Sequence, residues 1–222
     1  MLTLRLAFAA AAFAVVAPAA AAPIALFNTG VDNAGVATTG NARDLHWSLA
    51  PESAAFTGGT NGVFPIGPWL AETAASRWVT PSNNAADSYD PSADGLYKYA
   101  TIFSLTGFKA SSATFGGRFA SDNTVDSITL NGVTITGSGG SFSSWNSFSS
   151  AGGTFNSGQN LLIFNVRNFG AASGNPTVLR VEITGTADAV AAIPETATWA
   201  LLVAGFGLVG VASRRRVRAI AA

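Results

Sequence analysis

Through the middle of the chain apolar residues recur at every second position rather than every 3.6, the period of half-buried strands. The clearest run is 96–105, where Tyr97, Tyr99, Thr101, Phe103 and Leu105 alternate with Leu96, Lys98, Ala100, Ile102 and Ser104. Its β-branched and aromatic content suits a pleated surface. The same alternation predicts strands over 113–119, 125–130, 161–166 and 178–183. Between or within them stand Gly116-Gly117, Asn131-Gly132, Gly139-Gly140 and Gly152-Gly153, pairs that take positive φ at low cost and mark turns or bulges. Short strands at this spacing predict an all-β domain, a two-sheet sandwich or a barrel. The serine-rich piece 138–150 is interrupted by Phe142, Trp145 and Phe148, and reads as a long loop pinned by aromatics.

Both ends break the pattern. At the front, Arg5 precedes an uncharged apolar stretch over 6–16, and Ala19 to Ala22 supply the small residues a signal peptidase requires, so residues 1–21 read as a signal peptide cut after Ala20 or Ala21. At the back, residues 196–213 carry no charge. As a helix they would reach roughly 27 Å, enough for one bilayer crossing with little tilt. Trp199 would lie at the outer headgroups and Arg214, Arg215, Arg216 and Arg218 at the cytoplasmic side. This predicts a protein exported through the inner membrane, single-pass, with its C-terminus cytoplasmic. Gly205, Gly207 and Gly210 spell a dinucleotide-binding fingerprint, but inside such a span they have no strand or helix start to work from.

Setting both ends aside changes the charge picture. The whole chain balances 12 basic against 12 acidic residues. The body over 22–192 holds seven basic and eleven acidic ones, about −4, which excludes the basic surface that nucleic acid demands. Its length of about 170 residues fits one domain. There is no cysteine, and hence no disulfide, thiol nucleophile or Cys-ligated zinc.

The order Pro194-Glu195, Trp199-Ala200, a Gly-rich apolar core and an arginine cluster closely resembles the PEP-CTERM sorting signal of Gram-negative bacteria, in its PEPxxWA variant, with Thr196 where the pattern has a second proline. The resemblance implies the division 193–218 for the sorting signal, processing by an exosortase, and delivery to the cell surface or extracellular matrix. Within the body, Phe115 to Phe119, Ser121-Asp122-Asn123, Leu130-Asn131-Gly132, Gly158-Gln159-Asn160-Leu161, Asn175-Pro176 and Leu179-Arg180-Val181-Glu182 look like the galactose-binding-like jelly rolls, β-sandwiches that often bind carbohydrate.

No catalytic set assembles. His46 is the only histidine and no G-x-S-x-G elbow accompanies it, so it reads as a neutral side chain packed beside Trp47, and the protein as a non-enzyme without a cofactor. Oxygen ligands for calcium are available at Asp122 and Asp126, or in the loop of Asp87, Asp90 and Asp94, although Asp90-Pro91 and Asp94-Gly95 also form turns unaided. Most of the many aromatics belong to a core. Trp145 and Tyr89 lie in polar loops and are the candidates for stacking on a sugar ring, with Asn146 as a hydrogen-bonding neighbour. The expected function is an exosortase-sorted surface or matrix protein that binds exopolysaccharide. Its alternatives are a purely structural or adhesive surface protein and, third, a secreted hydrolase.

Overall fold

The computed structural model describes residues 20–40, 42–50, 53–57, 67, 69–84, 87–190 and 195–220. The chain forms two compact units, of which Ala20–Ala189 is the β-rich body. Its strands are β1 (Ala21–Pro23), β2 (Arg43–Leu49), β3 (Ser53–Thr57), β4 (Val79–Thr80), β5 (Gly95–Ser104), β6 (Thr114–Asp122), β7 (Thr124–Leu130), β8 (Val133–Ile135), β9 (Asn146–Ser149), β10 (Gln159–Asn168) and β11 (Val178–Asp188). All five strands expected from the alternation are present, each extended by one to five residues or shifted by one. The expected loop over 138–150 contains one more strand, β9, in which Phe148 points inward.

Every pairing is antiparallel, and the hydrogen-bonded order is β8-β7-β10-β5-β2-β3-β4-β11-β6-β9, with β1 added to β11. This path folds back on itself as two packed sheets, β8-β7-β10-β5-β2 and β3-β4-β11-β6-β9, joined by the β2–β3 hairpin. Its two ends meet again where Thr136, just after β8, bridges Ser149 of β9. Apart from the consecutive pairs β2–β3, β3–β4 and β7–β8, successive strands from β2 to β11 cross from one sheet to the other instead of pairing with the one before.

The core lies between the sheets. Phe164 of β10 stands 5.1 Å from Phe148, 5.6 Å from Phe119 and 5.7 Å from Trp47, all but the last from the opposite sheet, in edge-on or tilted contacts that favour aromatic pairs. Phe103, Phe115 and Phe155 extend this ladder toward one end. Gly117 of β6 is needed because the sheet is tight there: a Cβ would come within 1.9 Å of the Glu182 carbonyl oxygen on β11. Asn131 and Gly132, with φ of 52° and 84°, make the two-residue turn of the β7–β8 hairpin. The Asn131 amide also donates to Thr154 and Asn160 and accepts from the Leu161 N–H, tying that turn to the start of β10.

The second unit contains the helix α1 (Glu195–Ile220). Among the described residues no helix is long and apolar enough to cross a membrane. The side chains described in α1 are Ala200 to Ala212 and Arg214, and thirteen residues of apolar helix reach only about 20 Å. The transmembrane helix expected over 196–213 is therefore not supported by the described residues. Gly205, Gly207 and Gly210 fall inside α1, where no helix N-terminus exists to hold a phosphate. The expected signal peptide lies outside the described residues except for its last two positions, and Pro194 of the sorting motif lies outside them as well. Ala21, the last of those positions, pairs with Asp188, and the Ala189 N–H donates to the Ala20 carbonyl.

Candidate functional site

The outward face of β6 and β11 carries charge where alternation places it. Leu179, Val181 and Ile183 enter the core, while Arg180 and Glu182 point away from it beside Arg118 and Ala120 of β6. Arg180 is nonetheless only 1% exposed, because the segment 69–78 lies over this face. Its Nε donates to Ser76, its Nη1 to the Ala71 carbonyl and its Nη2 to Thr73. Burial lowers its pKa, opposed mainly by Glu182 and Glu72. Glu182 receives the Ser76 hydroxyl on one oxygen and Arg118 on the other, at 2.8 Å and 2.7 Å from Nε and Nη2. In the covering segment itself, Glu72 accepts from Arg77 and from the Trp78 N–H.

Trp145 completes this surface. Its ring packs with Trp69, Leu70 and Phe142 around the buried Trp78, and both guanidinium groups sit against it, Arg118 at 4.4 Å and Arg180 at 4.8 Å from the ring centroid. Asn146 follows it into β9 and donates to the Ser138 carbonyl. The loop is fixed at several points: the Phe142 carbonyl accepts from Leu70, the Ser141 carbonyl from Ser121, and the Ser141 hydroxyl bonds Ser143 and Ser144. Trp145 and Asn146 are thus together on one rigid, half-buried face. Arg118, Arg180 and Glu182 were not singled out from the sequence, yet the charged residues at alternate positions of an apolar strand were the available signal.

Tyr89 stands elsewhere. Its ring packs edge-on to Tyr97 at 5.8 Å, its backbone N–H donates to Asn175, and no hydrogen bond or ring contact links it to Trp145 or Asn146 among the described residues. Burial raises the pKa of its hydroxyl, with a smaller push from Asp87. Burial likewise raises Tyr97 and Tyr99, and for Tyr97 the bond to Asp90 adds to it.

The five aspartates proposed for calcium are each engaged by protein donors, and Asp94 and Asp126 share one of them, Arg167. Asp87 accepts from Ser82 and Asn84, and Asp90 from Tyr97 and Asn168. Asp94 accepts from the Gly170 N–H, and Asp126 pairs with Arg167. Among the described residues no group of three or more potential metal ligands of the His, Cys, Asp or Glu type converges. Asp122, buried at the end of β6, accepts from the Asn123 amide and forms no ion pair among the described residues, and desolvation pushes its carboxyl up to about 6. Between pH 4 and 6 the unfolded chain releases this proton while the native one keeps it, so stability falls as pH rises through that window and stays lower above it. Asp122→Asn should therefore stabilise the protein by about 2 kcal/mol at pH 7.5, with the gain disappearing below pH 4. Thermal melts of both proteins across pH 3.5–8 check this; a gain independent of pH would contradict it.

His46 lies against Phe27, not Trp47, its ring stacked at 3.6 Å and 3°. Trp47 instead enters the core and donates its Nε1 to the Phe27 carbonyl. Asp44 shapes this bend by accepting from the N–H groups of Gly30, His46 and Trp47, and burial, outweighing those bonds, raises its pKa. A groove of about 740 Å³ runs past these residues over Ala100, Ile102 and Leu161. It presents no second imidazole and no paired carboxylates.

No family model, no curated protein and no solved structure matches this chain.

Proposed function

We propose that this is an exported surface protein: a β-sandwich body carried on a C-terminal sorting and anchoring helix, which binds extracellular polysaccharide through the Trp145 surface. The sandwich reading is of the jelly-roll type. It is supported by the strand orders β8-β7-β10-β5 and β4-β11-β6-β9, in which chain neighbours from β4 to β11 alternate between sheets except at the β7–β8 hairpin, as they do in two interleaved Greek keys. The anchor reading rests on one observation. Leu201 (74%) and Leu208 (72%) on one face of α1, and Val203 (68%) and Phe206 (70%) on the opposite one, are all exposed, and a helix apolar all round belongs in a core or a membrane. The uncharged sequence over 196–213 is long enough for the span, and Arg214 with the arginines after it fits the cytoplasmic end. An exosortase acting near Pro194-Glu195 would then free the body for the surface or matrix.

Cell fractionation tests the arrangement. The full chain should sediment with membranes until processed, and a chain ending at Ala192 should be released in soluble form. Recovery of the shortened chain in the membrane pellet would place the anchor elsewhere.

A further inference from the structure

We propose that the Trp145 surface selects an acidic saccharide, a polymer bearing carboxylates on its sugar rings, and that Arg118 is the residue that reads the charge. The inference rests on the saccharide-binding reading above and adds the chemical class of the ligand.

Three observations carry it. The first is local charge. Here Arg118 and Arg180 share the single carboxylate of Glu182, an excess of one positive charge that the neutral Arg77–Glu72 pair leaves unchanged, on a body that is about −4 as a whole. A polyanion is repelled by the rest of the body and attracted here. The second is the state of Arg118. Its side chain is half exposed, Glu182 holds its Nε and Nη2, and its Nη1 has no partner among the described residues, leaving a fixed donor edge toward solvent. The buried Arg180 has no such freedom, since all three nitrogens are bonded inside the protein. The third is the ring. Trp145 is half-buried with two strand-borne guanidinium groups against it, and among the described residues no aromatic ring stacks on it and its indole N–H has no acceptor. A sugar ring laid against the indole places its substituents beside the Arg118 Nη1 and the indole N–H, two donors suited to a carboxylate. Because the loop is already pinned, little ordering remains to be lost on binding.

The test uses the full chain in detergent micelles and three immobilised polymers: polygalacturonate, the same polymer fully methyl-esterified, and dextran. The unaltered protein should be retained on polygalacturonate at least about tenfold more strongly than on its ester, in keeping with a charge-assisted bond, and the difference should shrink with added salt. Arg118→Gln should lower binding to polygalacturonate to the level of the ester, and Trp145→Ala should remove retention on both. Equal retention of the unaltered chain on the acid and the ester, a comparison that needs no variant to fold, overturns the acidic preference and leaves saccharide binding standing. An Arg118→Gln protein with unchanged melting and unchanged retention overturns the role of Arg118. No retention on any of the three polymers overturns both the acidic preference and the saccharide reading.

Discussion

Replacing Phe164 by alanine should cost about 3–5 kcal/mol of stability without disturbing the Trp145 surface. The ring is fully buried where both sheets meet, in contact with Trp47, Phe119 and Phe148, so its loss leaves a cavity walled by three large aromatics held on separate strands. Such walls cannot collapse together without moving β2, β6 and β9. For a domain of this size the penalty corresponds to a melting temperature lower by roughly 10 °C. Denaturant melts give the energy directly, and a loss below 1 kcal/mol would mean that the two sheets are not packed through this residue.

The second large effect concerns a charge rather than a ring. Arg180→Met should destabilise by about 3 kcal/mol, because it removes the guanidinium donors from Ser76, Thr73 and the Ala71 carbonyl and leaves Glu182 with only Arg118 and the Ser76 hydroxyl. Unlike the core substitution, it should also loosen the segment 69–78 from the sheet, which hydrogen exchange at Trp78 and its neighbours would detect. A double-mutant cycle with Ser76→Ala isolates the pair; additive losses would show that Arg180 acts by packing alone.

These two residues illustrate what the sequence disclosed and what it hid. Phe164 belongs to a run with strict alternation, and its inward direction follows from period two alone. The strands that escaped notice are short or bent. β4 is two residues long, β2 is bent by the Asp44 carboxylate capping three backbone N–H groups, and β9 is hidden in serine-rich sequence with one core residue, Phe148. Periodicity needs length and a straight run: β4 and β9 lack the first, and β2, seven residues long, lacks the second.

For the site, composition drew attention to Trp145 and Asn146 but could not foresee that two arginines would come to rest against the ring. Arg118 and Trp145 are 27 positions apart and Arg180 a further 35, and only the β6–β9 and β6–β11 pairings bring them together. Tyr89 looked equivalent to Trp145 by neighbourhood, and the fold sends it to Tyr97 and Asn175. The aspartates looked like a cluster because they are close in sequence, yet their carboxylates are taken up by protein donors, several of them distant in sequence: Asn168 for Asp90, and Arg167 for both Asp94 and Asp126.

The position of β11 bears on how the body would take a mechanical load. It is the last strand before the tail, and it is bonded on both sides, along nine registered pairs to β6 on one side and to β4 and β1 on the other. A drag force transmitted through a C-terminal tether pulls this strand along its own axis. Its hydrogen bonds are then loaded in shear, many at once, instead of opening one after another as they would if the tether left from an edge. A body held at a surface against flow would thus be gripped by its best-secured strand.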